Sequence, residues 1–267
     1  MIKKILSRLY IFLILAFLYI PIILIVIYSF NTGKTFGLWE KFGFYWYLKL
    51  GEVKDVVFNT IVLAIISSLI ATLLGTLGAI GMYYSKGRLG KAVKGISQIP
   101  VVNSEIVTAC ALVMLFMVLG LAHRSIFGVY LGHITLTAPF VVLSVMPKLK
   151  QMDSSLYEAA LDLGATPMQA LFKVVLPEIL PGIFSGFMIA ITLSLDDYIV
   201  TATLAPLDFD TISTAVYKSL ALTTKESTET IPIYRAVTTI IFFATILVVV
   251  IMNINASKKS KKAQGVV

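Results

Sequence analysis

The chain has 267 residues, 58% of them hydrophobic and 13% charged, with a mean hydropathy of +0.93. Soluble domains are about 45–50% apolar and about 25% charged, so this composition excludes an ordinary water-soluble globule and describes an integral membrane protein. The single cysteine, Cys110, excludes an internal disulfide and argues against thiolate metal sites; the net charge of +8 has to be judged from where the charges lie.

A membrane-crossing helix takes about 17–25 apolar residues. Six such spans are expected in one transmembrane domain covering 1–267, at about 9–30, 56–83, 96–119, 126–147, 179–204 and 233–254. The first follows a basic segment, MIKKILSRLY, as a signal peptide would. Its apolar stretch exceeds the usual about 7–15 residues, and YSFNTGKTFG offers no small-x-small cleavage site, so a retained first helix is expected. NTGKT contains a Gly-Lys-Thr, but a phosphate-cradling loop needs a glycine where Tyr28 stands. No nucleotide site is expected in this chain.

The outer loop 31–55 carries FGFYWYLKL, an aromatic belt of the kind that sits at the membrane–water boundary. In the second span Ala71, Gly75 and Ala79 form a ridge of small residues suited to close helix packing. The third span is interrupted by Pro100, Asn103 and Glu105. His123 and His133 are far apart in sequence, with no carboxylate or thiol at ligand spacing, and read as ordinary histidines.

Six spans place both termini on one side. That side carries fourteen of the 22 Lys and Arg residues: Lys3, Lys4 and Arg8, four in SKGRLGKAVK, three over 148–178 and four in KKSKK. The opposite face is close to neutral. The basic side is expected to be cytoplasmic, and the simplest reading of each basic cluster is orientation rather than a lipid or nucleic-acid site.

Between the fourth and fifth spans lies SSLYEAALDLGATPMQALFKVVLPEILPG, Ser154 to Gly182. Its first half is expected to be a helix capped by Asp153 or Ser154 and stopped at Gly164. The second half begins with Thr166 as cap and Pro167 at the first helical position, and is expected to end at Pro177. Leu171, Val174 and Val175 share one face. A compact helix pair with Ala159 and Ala160 at its tip can dock into a groove on a partner; the alternative is an amphipathic loop lying on the membrane.

The fifth span contains IAITLSLDDYIVTATL. A carboxylate at the bilayer centre costs about 2.5–3.5 kcal/mol on insertion scales, and intramembrane acids are functional by default. Entering near residue 183, the span puts Asp196 about 20 Å deep, while Glu105 lies about 14 Å in from residue 96, at 1.5 Å per residue. The acids are thus expected at different depths. On a continuous helix Asp196 and Asp197 are about 100° apart, so only one can face a central path squarely, and Tyr198 adds a cation–π face worth about 0.5–2 kcal/mol. The other reading of each acid is a structural one, with a hydrogen-bond partner in a neighbouring helix. An intramembrane hydrolase using the aspartate pair is disfavoured, because paired catalytic carboxylates come from separate elements.

Glu158-Ala159-Ala160, Gly164 and Leu176-Pro177 stand at the spacing of the EAA signature, and the chain thereby resembles permease subunits of binding-protein-dependent ABC importers. Val174 replaces the isoleucine of that signature. YIPIILIVIYSFN, GHITLTAPFVV, EAALDLGAT and LSLDDYIVT, spread over nearly the whole chain, narrow the likeness to the second permease subunit of spermidine/putrescine importers. Asn103-Ser104-Glu105 departs from that pattern, in which a proline precedes the acid.

The resemblance implies an all-α, six-helix membrane protein of the type I ABC importer (MetI-like) class with a coupling-helix loop over 153–178. Glu158, Ala159, Ala160, Gly164, Leu176 and Pro177 would contact or shape the contact with an ATPase. The implied partners are a sister permease in a heterodimer, an ATPase dimer that binds ATP and Mg, an extracytoplasmic polyamine-binding protein and the bilayer, with no nucleic acid. No cofactor and no enzymatic activity are implied for this chain. It would lie in the bacterial cytoplasmic (inner) membrane with both termini cytoplasmic. Polyamine ammonium groups titrate near 10 like lysine, so the cargo is a polycation that needs negative charge along its way: Asp196, Asp197 and Glu105, with Tyr198 beside them. The competing readings are the same architecture for another solute and a stand-alone cation channel or ion-driven carrier.

Overall fold

A computed structural model describes residues 2–35, 37–85, 95, 104–221, 230–247 and 250. Apart from one isolated bridge between Asn31 and Phe42, the regular structure of the described residues is helical. The chain forms two compact units, Asp55–Ala215 and, separately, Met1–Lys54 with Val216–Val267.

The larger unit is built from α3 (Lys54–Tyr84), α4 (Glu105–Val118), α5 (Ile126–Gln151), α6 (Ser154–Asp162), α7 (Pro167–Asp196) and α8 (Ile199–Leu204). Serines fix two of the starts. Ser104 Oγ accepts the Val107 N–H at 3.5 Å, and Ser125 Oγ accepts the Gly128 N–H at 3.0 Å, in each case satisfying an orphan donor of the first turn.

The long pair α5·α7 is the spine of this unit, and small residues set its closeness. Val141 on α5 meets both neighbours: a Cβ on Gly186 of α7 would lie 3.1 Å from the Val141 Cα, and one on Gly75 of α3 would lie 2.7 Å from the Val141 Cβ. The expected ridge is therefore a real packing face, with Ala71 and Ala79 fully buried.

Two apolar clusters result. One joins Leu63, Leu112, Phe116, Val129, Leu136, Val200 and Leu204. The other joins Ala79, Val141, Val145, Leu149, Val175 and Ile179.

Two stretches depart from the sequence expectation. The helix expected to end at Pro177 runs on without a break from Pro167 to Asp196. A π-turn over Leu171–Val175 precedes the proline; the widened turn makes room for a ring that clashes with the carbonyl four residues back in a regular α-helix. Conversely, the span expected over 179–204 is not one helix. It stops at Asp196, runs extended through Asp197 and restarts at Ile199. The third span is described over Glu105–Val118, with 96–103 outside the described residues. Its 14 residues cover about 21 Å at 1.5 Å per residue.

The second unit contains α1 (Ile2–Ser29), α2 (Tyr45–Leu48), most of α9 (Ile212–Ala221) and α10 (Thr230–Leu247). Of the expected last span 233–254, residues 248–249 and 251–254 lie outside the described ones. The loop after α1 is organised by buried Asn31. Its Nδ2 donates to the Leu38 carbonyl at 2.6 Å, its Oδ1 accepts from Glu40 N–H at 2.9 Å, and its carbonyl accepts from Trp46 Nε1 at 2.9 Å. Phe30 stacks on Phe42 and Tyr47 around this knot.

Adding a methyl at Gly75 forces α3 away from the Ala138 carbonyl, 2.8 Å from the new Cβ. Gly75→Ala is expected to destabilise the chain by about 1–3 kcal/mol. Gly81→Ala, which meets nothing within 4 Å, is expected to be neutral or to stabilise by about 0.5–1 kcal/mol. Thermal melting of the two purified variants in one detergent checks the contrast.

Candidate functional site

The break between α7 and α8 is made by Asp197. Its Oδ2 accepts the Thr201 N–H at 2.9 Å and the Thr201 hydroxyl at 3.0 Å, and its Oδ1 accepts the Val200 N–H at 3.3 Å. A helix of six residues has no stability of its own; here both ends are held. At the far end Arg124 donates to the carbonyls of Ala205 at 3.3 Å and Ala202 at 3.4 Å, placing a cation where the helix dipole is negative.

Asp197 belongs to a wider buried network. His133 Nδ1 lies 2.7 Å from Ser194 Oγ, and His133 Nε2 lies 2.9 Å from Thr201 Oγ1 and 3.4 Å from Asp197 Oδ2. Ser194 Oγ in turn lies 3.0 Å from Ser67 Oγ. The imidazole thus staples α7 to α8 across the break, with Ser194 before it and Thr201 after it.

The two aspartates have separated fates. On a continuous helix they would share a face in part; the break turns Asp197 inward as a cap and leaves Asp196 exposed on this chain. Glu105, half-buried at the start of α4, is within electrostatic range of both. The depths expected to differ therefore still leave Glu105 within electrostatic range of the aspartate pair. Tyr198 is half-buried beside it and lines an open groove of about 580 Å³ with Ile106, Val113, Met117, Arg124 and Ile199. The groove is mainly apolar, with acids near Tyr198 and the Arg124 guanidinium at the other end of α8.

The segment after α5 is a well-capped helical turnaround. Asp153 accepts the Ser155 N–H at 2.9 Å, and that hydrogen bond holds its carboxyl below the usual carboxylate range. The cap is thus intact at neutral pH and is lost only as acid protonates the group. Past the end of α6, Gly164 has φ +86°; its N–H reaches the Leu161 carbonyl at 2.9 Å, and the Ala165 N–H reaches the Ala160 carbonyl at 3.0 Å. Only glycine takes that conformation freely. Thr166 and Gln169 then form a reciprocal capping box that starts α7.

Glu158, Ala159 and Pro177 are exposed, Ala160 and Leu176 half-buried. The face formed by Leu171, Val175 and Leu176 is turned into the chain's own core. Apolar side chains that point outward are instead Leu163, 90% exposed, with Met168 and Phe172.

Sequence reasoning missed His133, Ser67, Ser194, Thr201 and Arg124. A polar residue inside each of several apolar spans was the available signal, but nothing in one sequence says that they converge.

Residues 71–259 match the family described as binding-protein-dependent transport system inner membrane component. The chain is 31% identical to the spermidine/putrescine transport system permease protein PotC of Haemophilus influenzae, over 94% of this chain and 96% of that one. It is also 31% identical to the putrescine transport system permease protein PotI of Escherichia coli, over 77% and 76% of the two chains. In fold it is similar to a chain of a bacterial ABC transporter that imports the acidic polysaccharide alginate, with TM-score 0.69, 21% identity and coverage of 97% and 95%.

The chain belongs to the family of inner-membrane components of binding-protein-dependent transport systems. It is a multi-pass membrane protein with the type I ABC importer permease fold, a transport subunit rather than an enzyme.

Asp197→Ala is expected to lower stability by about 1–3 kcal/mol, because it leaves the Val200 and Thr201 N–H groups of a buried cap without their acceptor. Asp196→Asn is expected to change it by no more than about 0.5 kcal/mol, as exposed substitutions do. Melting temperatures of the two variants against the parent read the asymmetry.

Proposed function

We propose that this chain is the permease subunit of an ATP-driven polyamine importer and forms half of the translocation path. The observation that carries the reading is the exposed Asp196 at a helix break, next in sequence but one to the groove-lining Tyr198 and within electrostatic range of Glu105. The likeness to spermidine/putrescine and putrescine permeases over most of the chain supports the same cargo. An ammonium group crossing a low-dielectric passage needs an anion that is neither buried nor committed to a cap. Asp196 meets that requirement, with Glu105 as a second acid. Methylene spacers between ammonium groups suit the apolar floor of the groove, and the Tyr198 ring offers a cation–π face.

The coupling role falls to the segment after α5. Glu158, Ala159 and the outward Leu163, Met168 and Phe172 make a mixed surface on a rigid turnaround, suited to a cleft in an ATPase subunit. Gly164 fixes the turn, and Leu176 and Pro177 join it to α7, so a push on α6 is carried into the helix that ends at Asp196. In this reading ATP and Mg are held by the ATPase dimer, a sister permease supplies the other half of the path, and an extracytoplasmic protein delivers the polyamine. Both termini lie in the cytoplasm, in keeping with the charge asymmetry.

Vesicles containing the complete importer test both parts. Asp196→Asn is expected to slow labelled spermidine uptake about tenfold, corresponding to about 1.4 kcal/mol, with subunit assembly intact. Unchanged uptake by both Asp196→Asn and Glu105→Gln contradicts the cargo assignment. Glu158→Ala or Gly164→Asp is expected to leave ATP hydrolysis running without transport. Normal ATP-driven uptake in those variants contradicts the coupling assignment.

A further inference from the structure

We infer that His133 and Asp197 share one proton beyond those of a neutral imidazole and an ionised carboxylate, so that Asp197 is neutralised inside the fold. The argument is a count. Five contacts run end to end: Leu63 carbonyl to Ser67 Oγ at 2.6 Å, Ser67 Oγ to Ser194 Oγ at 3.0 Å, Ser194 Oγ to His133 Nδ1 at 2.7 Å, His133 Nε2 to Thr201 Oγ1 at 2.9 Å, and Thr201 Oγ1 to Asp197 Oδ2 at 3.0 Å. Each is a hydrogen bond only if a proton lies on it. The three hydroxyls supply one proton each and a neutral imidazole supplies one. Four protons leave one contact with two lone pairs facing each other, in a site where Ser67, His133 and Thr201 have no exposure. Low dielectric makes that arrangement costly.

A fifth proton completes the chain in two ways. As an imidazolium, His133 donates from Nδ1 to Ser194, which donates to Ser67, which donates to the Leu63 carbonyl; Nε2–H donates to Thr201, whose hydroxyl donates to Asp197. Alternatively the proton sits on Asp197 Oδ2 and donates to Thr201, the Thr201 hydroxyl donates to Nε2, and Nδ1–H serves Ser194. In both, the two side chains together are neutral, and the Thr201 and Val200 N–H groups still cap α8 on Asp197.

His133 is therefore a positioning residue that sets the charge of the cluster without touching cargo. Asp196 on the same break, exposed, and Glu105 on α4, half-buried, are then the acids left to meet cargo. That consequence rests on the polyamine reading; the proton count does not.

The chain has two histidines, so ¹⁵N-histidine labelling of the assembled transporter, with His123→Gln for assignment, isolates the His133 ring signals. Near neutral pH the expected spectrum is either a ring protonated on both nitrogens, or the Nδ1–H form accompanied by a protonated-carboxyl stretch in the infrared. A neutral ring together with an ionised Asp197 overturns the inference. As a second readout, His133→Gln combined with Asp197→Asn is expected to recover much of the melting temperature lost in His133→Gln alone. Losses that simply add overturn it as well. Neither measurement involves transport: the expected spectrum in an importer that ignores polyamines would defeat the cargo reading and leave the shared proton standing.

Discussion

The Asp197 carboxylate, bonded to the first turn of α8 in the apolar interior, is the interaction on which the rest of the site depends. It ends one helix and starts another at a point where an uninterrupted span would have set the two aspartates about 100° apart on one helix. Because Asp197 is spent on the Val200 and Thr201 amides, its neighbour is released to the exposed side. A carboxylate in such surroundings persists only with full hydrogen bonding and a compensating partner, and His133 stands where that partner is needed. Arg124, which holds the other end of α8, makes the short helix a fixed wall of the groove.

The helix break is also mechanically placed. α7 begins at the capping box of the turnaround after α6 and ends at Asp196, so under the proposed function one continuous helix joins the ATPase-facing surface with the cargo-facing acid. Its tight contact with α5, set by Gly186 against Val141, means that displacement of one helix moves the other. The π-turn just before Pro177 keeps the joint continuous where a regular helix would have kinked.

Much of the fold was legible because hydropathy and capping chemistry are local. The apolar spans, the small-residue ridge at Ala71, Gly75 and Ala79, and the stop at Gly164 all followed from side-chain size and backbone freedom. Thr166 and Pro167 marked the start of α7 for the same reason. The break at Asp197 was not legible, since its cause is a contact with Thr201 and His133 that only the folded chain creates. Nor was the direction of the Leu171–Val175 face, because periodicity identifies a sticky stripe but not what covers it. Pro177 misled as a stop signal because a π-turn absorbed it.

The central claim is that Asp196 faces the cargo while Asp197 holds the wall. Cysteine accessibility tests it most directly, in a Cys110→Ala background and within the assembled importer. A positively charged thiol reagent is predicted to label the Asp196→Cys variant, to spare the Asp197→Cys variant, and to be blocked at the first position by spermidine. Labelling at position 197 but not 196, or labelling at 196 that spermidine leaves unchanged, would contradict the account.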